Sequence, residues 1–177
     1  AQAAKLSASA GNEPHTAMIA TLACVGTVHG GNGRDAATLM INAFANTKLE
    51  DPYAPGQETL IAEAAREVAA DAMRRKREAR DNDSDFVRIP CLGHPIYRNS
   101  DVTYDPRERI IAERLQQEGV PHAFLGFYHA LAAALRDAGV TRNVLAVNVD
   151  AAIACVWLGI CWPLLLEKKI SVARVKA

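Results

Sequence analysis

The segment NVLAVNVDAAIACVWLGICWPLLL, residues 143–166, decides the fold of this chain. Its last 16 residues, 151–166, contain no charged side chain. They are fewer than the roughly 20 apolar residues that a transmembrane helix needs, and Pro163 interrupts them. We therefore predict a buried core helix rather than a membrane span, with Asp150 as its N-terminal cap and a short extended piece before it.

Helical patterns fill most of the chain before this segment. Five stretches show helical apolar spacing, good helix formers or a proline in the first turn. They are residues 14–25, 34–44, 57–80, 106–118 and 121–138. Asn12 and Asp105 are the expected caps of the first and the fourth. No alternating apolar pattern persists long enough to predict a strand, so the predicted fold class is all-α.

Charge and cysteine content argue against several classes of protein. Lys plus Arg equals Asp plus Glu at 20 each, and a net charge of zero argues against a general binder of nucleic acid or anionic membranes. The four cysteines form no C-x-x-C pair and no zinc-like spacing, so no metal site is predicted. Free thiols and the lack of a signal-peptide pattern predict a cytoplasmic protein.

Three polar residues have settings that could support chemistry. His29 and His94 each lie beside glycines, which let the backbone approach a ligand closely. Asp150 lies between two apolar stretches, where lost hydration makes a carboxylate more basic, whereas a helix N-terminus stabilises the anion. Taken singly, a histidine beside glycines is more often structural, and an aspartate before an apolar helix is more often a cap.

The motifs around these residues follow one another in a recognisable order. Residues 28–31 read Val-His-Gly-Gly, and residues 148–150 read Asn-Val-Asp. Between them, residues 93–97 read Gly-His-Pro-Ile-Tyr and residues 105–107 read Asp-Pro-Arg. In this order and at these separations they resemble the signature of the citrate synthase superfamily, and the resemblance extends over most of the chain.

The resemblance implies a helical homodimer that makes or breaks a carbon–carbon bond between a CoA thioester and a 2-oxo acid, most often acetyl-CoA and oxaloacetate. Asp150 would remove a proton from the thioester methyl group, His29 would stabilise the enol or enolate, and His94 would polarise the oxaloacetate carbonyl. Arg107 would pair with a substrate carboxylate, which its planar fork suits. The backbone of the loop that contacts CoA would be Pro90, Cys91, Leu92 and Gly93.

The chemistry agrees with this set of side chains. A thioester α-proton is weakly acidic, so its removal needs a desolvated base together with a hydrogen-bond donor at the developing enolate oxygen. The carbon–carbon step needs a second donor on the acceptor carbonyl. One carboxylate, two histidines and one arginine supply these roles without a metal.

The chain departs from the family pattern at two places. A further histidine, in an Asp-His motif, has no match, and Arg174 is a poor match for a later arginine. We therefore expect an incomplete citrate synthase-like fold, a small domain with part of the large domain. Residues 1–45 would belong to the large domain, residues 46–147 mostly to the small domain, and residues 148–177 would return to the large domain.

Three functions stay open at the level of sequence. A citrate synthase-like acyltransferase is preferred, because the histidine motifs and Tyr97 resemble the synthases. A citryl-CoA lyase is the alternative, because the small residues Ala151 and Ala152 follow Asp150. A non-catalytic homologue that binds CoA is the third, because two expected functional residues have no match.

Overall fold

The computed structural model describes residues 2–23, 32–86, 88–93 and 103–176 of the chain. Within these ranges all regular structure is helical, apart from one antiparallel bridge between Leu92 and Val147. The predicted all-α fold class is confirmed. The helices divide into two compact units, Ala1–Asn32 and Gly33–Ala177.

The described part of the first unit holds two short helices, α1 (Gln2–Ser9) and α2 (Pro14–Leu22). Pro14 occupies the first turn of α2, as predicted, because its missing N–H would be unpaired there anyway. The prediction that Asn12 caps α2 is wrong. The residue before the helix is Glu13, whose side chain makes no capping bond. The Asn12 side chain instead donates to the Ser7 carbonyl at the end of α1.

The second unit contains six helices within the described residues, the first of which starts at the boundary. They are α3 (Asn32–Phe44), α4 (Glu58–Asp81), α5 (Pro106–Gln117), α6 (Ala123–Asp137), α7 (Val149–Leu166) and α8 (Val172–Val175). Helix α4 packs along α6, and α7 packs against α5 and α6. The bounds predicted for α3 to α6 differ from the observed ones by no more than two residues.

Aromatic side chains of α3, α6 and α7 form the centre of this unit. The Phe44 ring lies edge-on to Phe124 and Phe127, with ring centroids 5.5 and 5.3 Å apart. Trp162 packs edge-on against Phe124 at 5.2 Å. Its Nε1 donates to the Leu49 carbonyl at 2.9 Å, so the one polar atom of this buried ring is satisfied.

Helix α7 has two different faces. Cys155 and Leu158 on one face are fully buried in the core, whereas Ile153, Trp157 and Ile160 on the other face are each more than half exposed. The helix is long and apolar enough to cross a membrane by length and composition, and 44 % of it is buried inside the protein. One face therefore packs as the predicted core helix, and the absence of a membrane span stays a prediction.

His122 precedes α6, and its ring lies among aromatic side chains. Its centroid is 5.1 Å from that of Tyr53 and 6.2 Å from that of Phe124. Neither ring nitrogen has a hydrogen-bond partner among the described residues. Burial lowers the pKa of His122 to about 4, because the charged imidazolium would lose its hydration. Pro121 lies outside the helix, so the start predicted there is two residues early.

We expect His122 to make the fold sensitive to mild acid. Its pKa is lower in the folded chain than the ordinary value of 6.5, so the unfolded chain binds the proton first. The free energy of unfolding should therefore fall, by about 3 kcal/mol at most, as the pH drops from about 6.5 to about 4. Urea unfolding across this range should show the loss in the wild type and a smaller one in His122→Phe.

The matched control is His15→Phe, because His15 is exposed on α2. This variant should keep the pH dependence of the wild type. An unchanged pH dependence in His122→Phe would show that the buried ring is not the source.

Candidate active site

Asp150 and the 90–93 loop, both predicted to belong to the site, come together at the N-terminus of α7. The Asn148 Oδ1 accepts hydrogen bonds from the N–H groups of Asp150 at 3.1 Å and Ala151 at 3.2 Å. Asn148 is therefore the cap, and its backbone is extended, with φ −89° and ψ 167°. The prediction that Asp150 caps the helix is wrong. Asp150 lies in the first turn, and its carboxylate is not used for capping.

The loop of residues 90–93 is hydrogen-bonded to the chain that leads into α7. The Gly93 N–H donates to the Ala146 carbonyl at 2.7 Å, and the Asn148 N–H donates to the Cys91 carbonyl at 3.1 Å. Cys91 and Gly93 both have positive φ, +60° and +84°, which glycine adopts freely and cysteine only with strain. The predicted CoA-binding loop therefore lies directly beside the start of α7.

The Cys91 thiol is buried close to two carboxylates. Burial raises the pKa of Cys91 to about 12, and the carboxylates of Asp150 and Asp35 add to this effect. The thiol stays protonated at neutral pH, so it is not a nucleophile. Contact of CoA with the backbone of this loop stays a prediction.

Asp150 is half-buried, and no described residue donates a hydrogen bond to its carboxylate. Gly33, in the first turn of α3, packs close to it. A Cβ atom on Gly33 would lie 3.7 Å from the Asp150 carbonyl oxygen. The start of α3 thus packs against the backbone of the turn that carries Asp150. The carboxylate oxygens of Asp150 take no part in this contact.

Asp105 is a fully buried carboxylate that joins α5 to α7. Its Oδ1 accepts from the Arg107 N–H and Nε, both at 3.0 Å. Its Oδ2 accepts from the Arg107 Nη2 at 2.7 Å and from the Val149 N–H at 3.0 Å. Burial alone would raise the pKa of Asp105, but the hydrogen bonds from Arg107 and Val149 outweigh it and lower the pKa to about 2.

Asp105 is the N-cap of α5, as predicted, but its bond to Val149 was not predicted. The capping bond is local, between neighbours two residues apart, whereas the second bond spans 44 residues. The Asp-Pro-Arg motif was the one available signal that this position matters.

The other predicted site residues are placed differently. The Arg107 guanidinium pairs with Asp105, and 58 % of its side chain is exposed. Its binding of a substrate carboxylate stays a prediction. His29, His94 and Tyr97 lie outside the described residues, so their roles also stay predictions.

A cleft of about 880 Å³ lies between α5, α6 and residues 144–147. The buried Glu108 lies on its wall, and its Oε1 is 3.0 Å from the His129 Nε2. Neither residue of this pair was predicted from the sequence to be functional. Neither Asp150 nor the 90–93 loop is among the described residues that line the cleft.

Comparison with protein families shows which family this chain belongs to. The model of the family described as citrate synthase, C-terminal domain, matches residues 1–164. This chain belongs to the citrate synthase family. The match covers most of the chain, including all four stretches on which the resemblance was based, and it confirms the superfamily assignment. No curated protein matches the chain.

A solved structure agrees with the fold of the citrate synthase family. The citryl-CoA lyase from Hydrogenobacter thermophilus is similar, with a TM-score of 0.55 and 19 % sequence identity. The match covers 98 % of this chain and 57 % of that chain. The citrate synthase-like helical fold is thus confirmed, and the chain spans little more than half the length of that lyase.

Asp105 should stabilise the fold only while it is ionised. Its pKa is about 2 in the folded chain, below the ordinary value of 3.8. Its contribution, about 2 kcal/mol, is therefore complete above pH 4 and is lost as the pH falls toward 2. Asp105→Asn keeps a good cap but removes the charge, so it should be less stable at pH 7 and approach the wild type near pH 2.

Urea unfolding followed by circular dichroism at pH 7, 5, 4 and 3 measures this difference. Asp137→Asn is the control, because the Asp137 side chain is 75 % exposed. A stability gap between Asp105→Asn and the wild type that stays constant with pH would contradict the expected role of the charge.

Proposed function

We propose that this chain carries the proton-abstracting part of an enzyme that makes or breaks a carbon–carbon bond between an acyl-CoA and a 2-oxo acid. The main support is the position of Asp150. Its carboxylate lies in the first turn of α7, is not needed as a cap, and accepts no hydrogen bond from the described residues. It is therefore available to accept a proton.

In the proposed reaction Asp150 takes the α-proton of the thioester, and the electron pair moves onto the thioester oxygen. His29 donates a hydrogen bond to that oxygen, and the α-carbon attacks the carbonyl of the 2-oxo acid, which His94 polarises. The family's ordered motifs support these two histidine roles. The reverse sequence cleaves the same bond and returns the proton to the carbon.

The 90–93 loop is the proposed contact for CoA. Its backbone is fixed by hydrogen bonds to residues 146–148, so a ligand beside it would lie within reach of the first turn of α7. Gly93 has no side chain to block such an approach. The protonated Cys91 thiol would not react with the thioester.

The synthase direction, acetyl-CoA plus oxaloacetate, is proposed first, because the histidine motifs, Tyr97 and Asp-Pro-Arg resemble the synthases. Citryl-CoA lyase is the second candidate. It is favoured by Ala151 and Ala152 after Asp150 and by the fold shared with the Hydrogenobacter citryl-CoA lyase. A cytoplasmic homodimer and the division at residues 45 and 147 are part of the same proposal.

Turnover assays on the full chain test the proposal in both directions. Acetyl-CoA and oxaloacetate should form citryl-CoA, and hydrolysis of its thioester by water should then release free CoA, which a thiol reagent detects. In the lyase direction, citryl-CoA should yield oxaloacetate and acetyl-CoA. Asp150→Asn should lower the active direction by roughly 10²- to 10⁴-fold, because general-base catalysis is worth that much. Asp137→Asn, an exposed carboxylate on α6, should leave the rate within twofold.

The outcomes separate the candidates. Release of CoA supports the synthase, and formation of oxaloacetate supports the lyase. Binding of CoA without turnover in either direction would favour a non-catalytic homologue and overturn the proposal. Full activity in Asp150→Asn would overturn the assignment of the base.

A further inference from the structure

We infer that Asp105 is a positioning residue for Asp150, acting through its hydrogen bond to the Val149 N–H. This inference rests on the proposed role of Asp150 as the base. It goes beyond the motif resemblance, because it assigns a task to a buried carboxylate that is not one of the predicted site residues.

The N–H groups at the start of α7 are all accounted for. The first N–H groups of a helix have no partner within the helix. Here the Asn148 side chain accepts from Asp150 and Ala151, and Asp105 accepts from Val149. The N–H of Asp150 and the N–H groups of the residues on either side of it are therefore all hydrogen-bonded. Of these three bonds, only the one from Val149 goes to a residue that caps another helix.

Asp105 is itself rigidly held. It has no exposed surface, and both of its oxygens accept from Arg107. It is followed by Pro106, which has a fixed φ. The start of α7 is thus tied to the start of α5 through a buried side chain whose two oxygens are both hydrogen-bonded. A base held in this way keeps a fixed distance to whatever binds beside it, and a displacement of about 1 Å can cost roughly 10²-fold in rate.

The alternative is that Asp105 serves only as the cap of α5. Capping requires the bond from Oδ1 to the Arg107 N–H and nothing from α7. The two roles can be separated by removing the Val149 N–H while Asp105 is left in place.

Val149→Pro makes this change, because proline has no N–H. Val149 is the first residue of α7, a position that favours proline. Asn148 before it is already extended, with φ −89° and ψ 167°, as a residue before proline must be. The Asn148 cap bonds to Asp150 and Ala151 are not affected by the substitution.

Two controls match this variant. Val172→Pro places proline at the first position of α8, after Ser171, which is also extended, with φ −90° and ψ 157°. Val149→Ala shortens the same side chain but keeps the N–H. We expect Val172→Pro and Val149→Ala to keep at least half of the wild-type kcat in the full chain.

In Val149→Pro we expect kcat to fall about 100-fold, with KM for the acyl-CoA changed less than threefold. Exchange of the thioester methyl protons with deuterated solvent should slow by the same factor, because that step needs the base but not the attack on the 2-oxo acid. If Asp105 had a purely structural role, Val149→Pro would lower the melting temperature without lowering kcat selectively relative to KM. A wild-type kcat in Val149→Pro would overturn the inference.

Asp105→Asn supplies a second route if Val149→Pro folds poorly. An amide has one acceptor oxygen and cannot serve both Arg107 and Val149 as the carboxylate does. Its kcat should fall at least tenfold, with Asp137→Asn as the unaffected control. In the double variant with Val149→Pro, Asp105→Asn should cause no further loss of kcat, because both changes break one bond. Fully additive losses would overturn the inference.

These results separate the inference from the proposed function. If the wild type turns over neither set of substrates, the proposed function fails and the inference fails with it. If the wild type is active and Val149→Pro is equally active, only the inference fails.

Discussion

The rest of this structure depends on one buried anion shared by two helix N-termini. Burying a carboxylate costs several kcal/mol unless its charge is compensated. Asp105 lies at the start of both α5 and α7, where the positive ends of two helix dipoles meet, and Arg107 adds a formal charge. Since the compensation comes from both helices together, separating them would leave the anion with only part of it. The shared charge therefore sets where α7 begins relative to α5.

Much of the fold could be predicted from local sequence. The uncharged run 151–166 indicated the core helix, and Pro106 with Asp105 fixed the start of α5. The errors at α6 and α7 occur where a distant contact selects between two reasonable starts. Asn148 and Asp150 are both good caps, and the bond from Asn148 to the Cys91 carbonyl belongs to the bridge that sets the bend there. Pro121 looked like a helix start, but α6 begins where the Ala123 N–H donates to the Pro52 carbonyl.

The candidate site was predictable in part for the same reason. The order of the motifs identified the family and placed Asp150 and the 90–93 loop in one site. The structure brings these two together, because the loop pairs with the chain before α7. Composition could not show which face of α7 is buried, since Ile153 and Cys155 are equally apolar in sequence. Nor could it show that Arg107 would face a carboxylate of its own chain.

The contact between Asp105 and residue 149 also determines what a comparison of sequences can detect. The donor is a backbone N–H, which nineteen of the twenty amino acids possess. The identity of the side chain at 149 therefore carries almost no information about the link. In related sequences the link would be visible only as an acidic residue at position 105 and the absence of proline at position 149, 44 residues later.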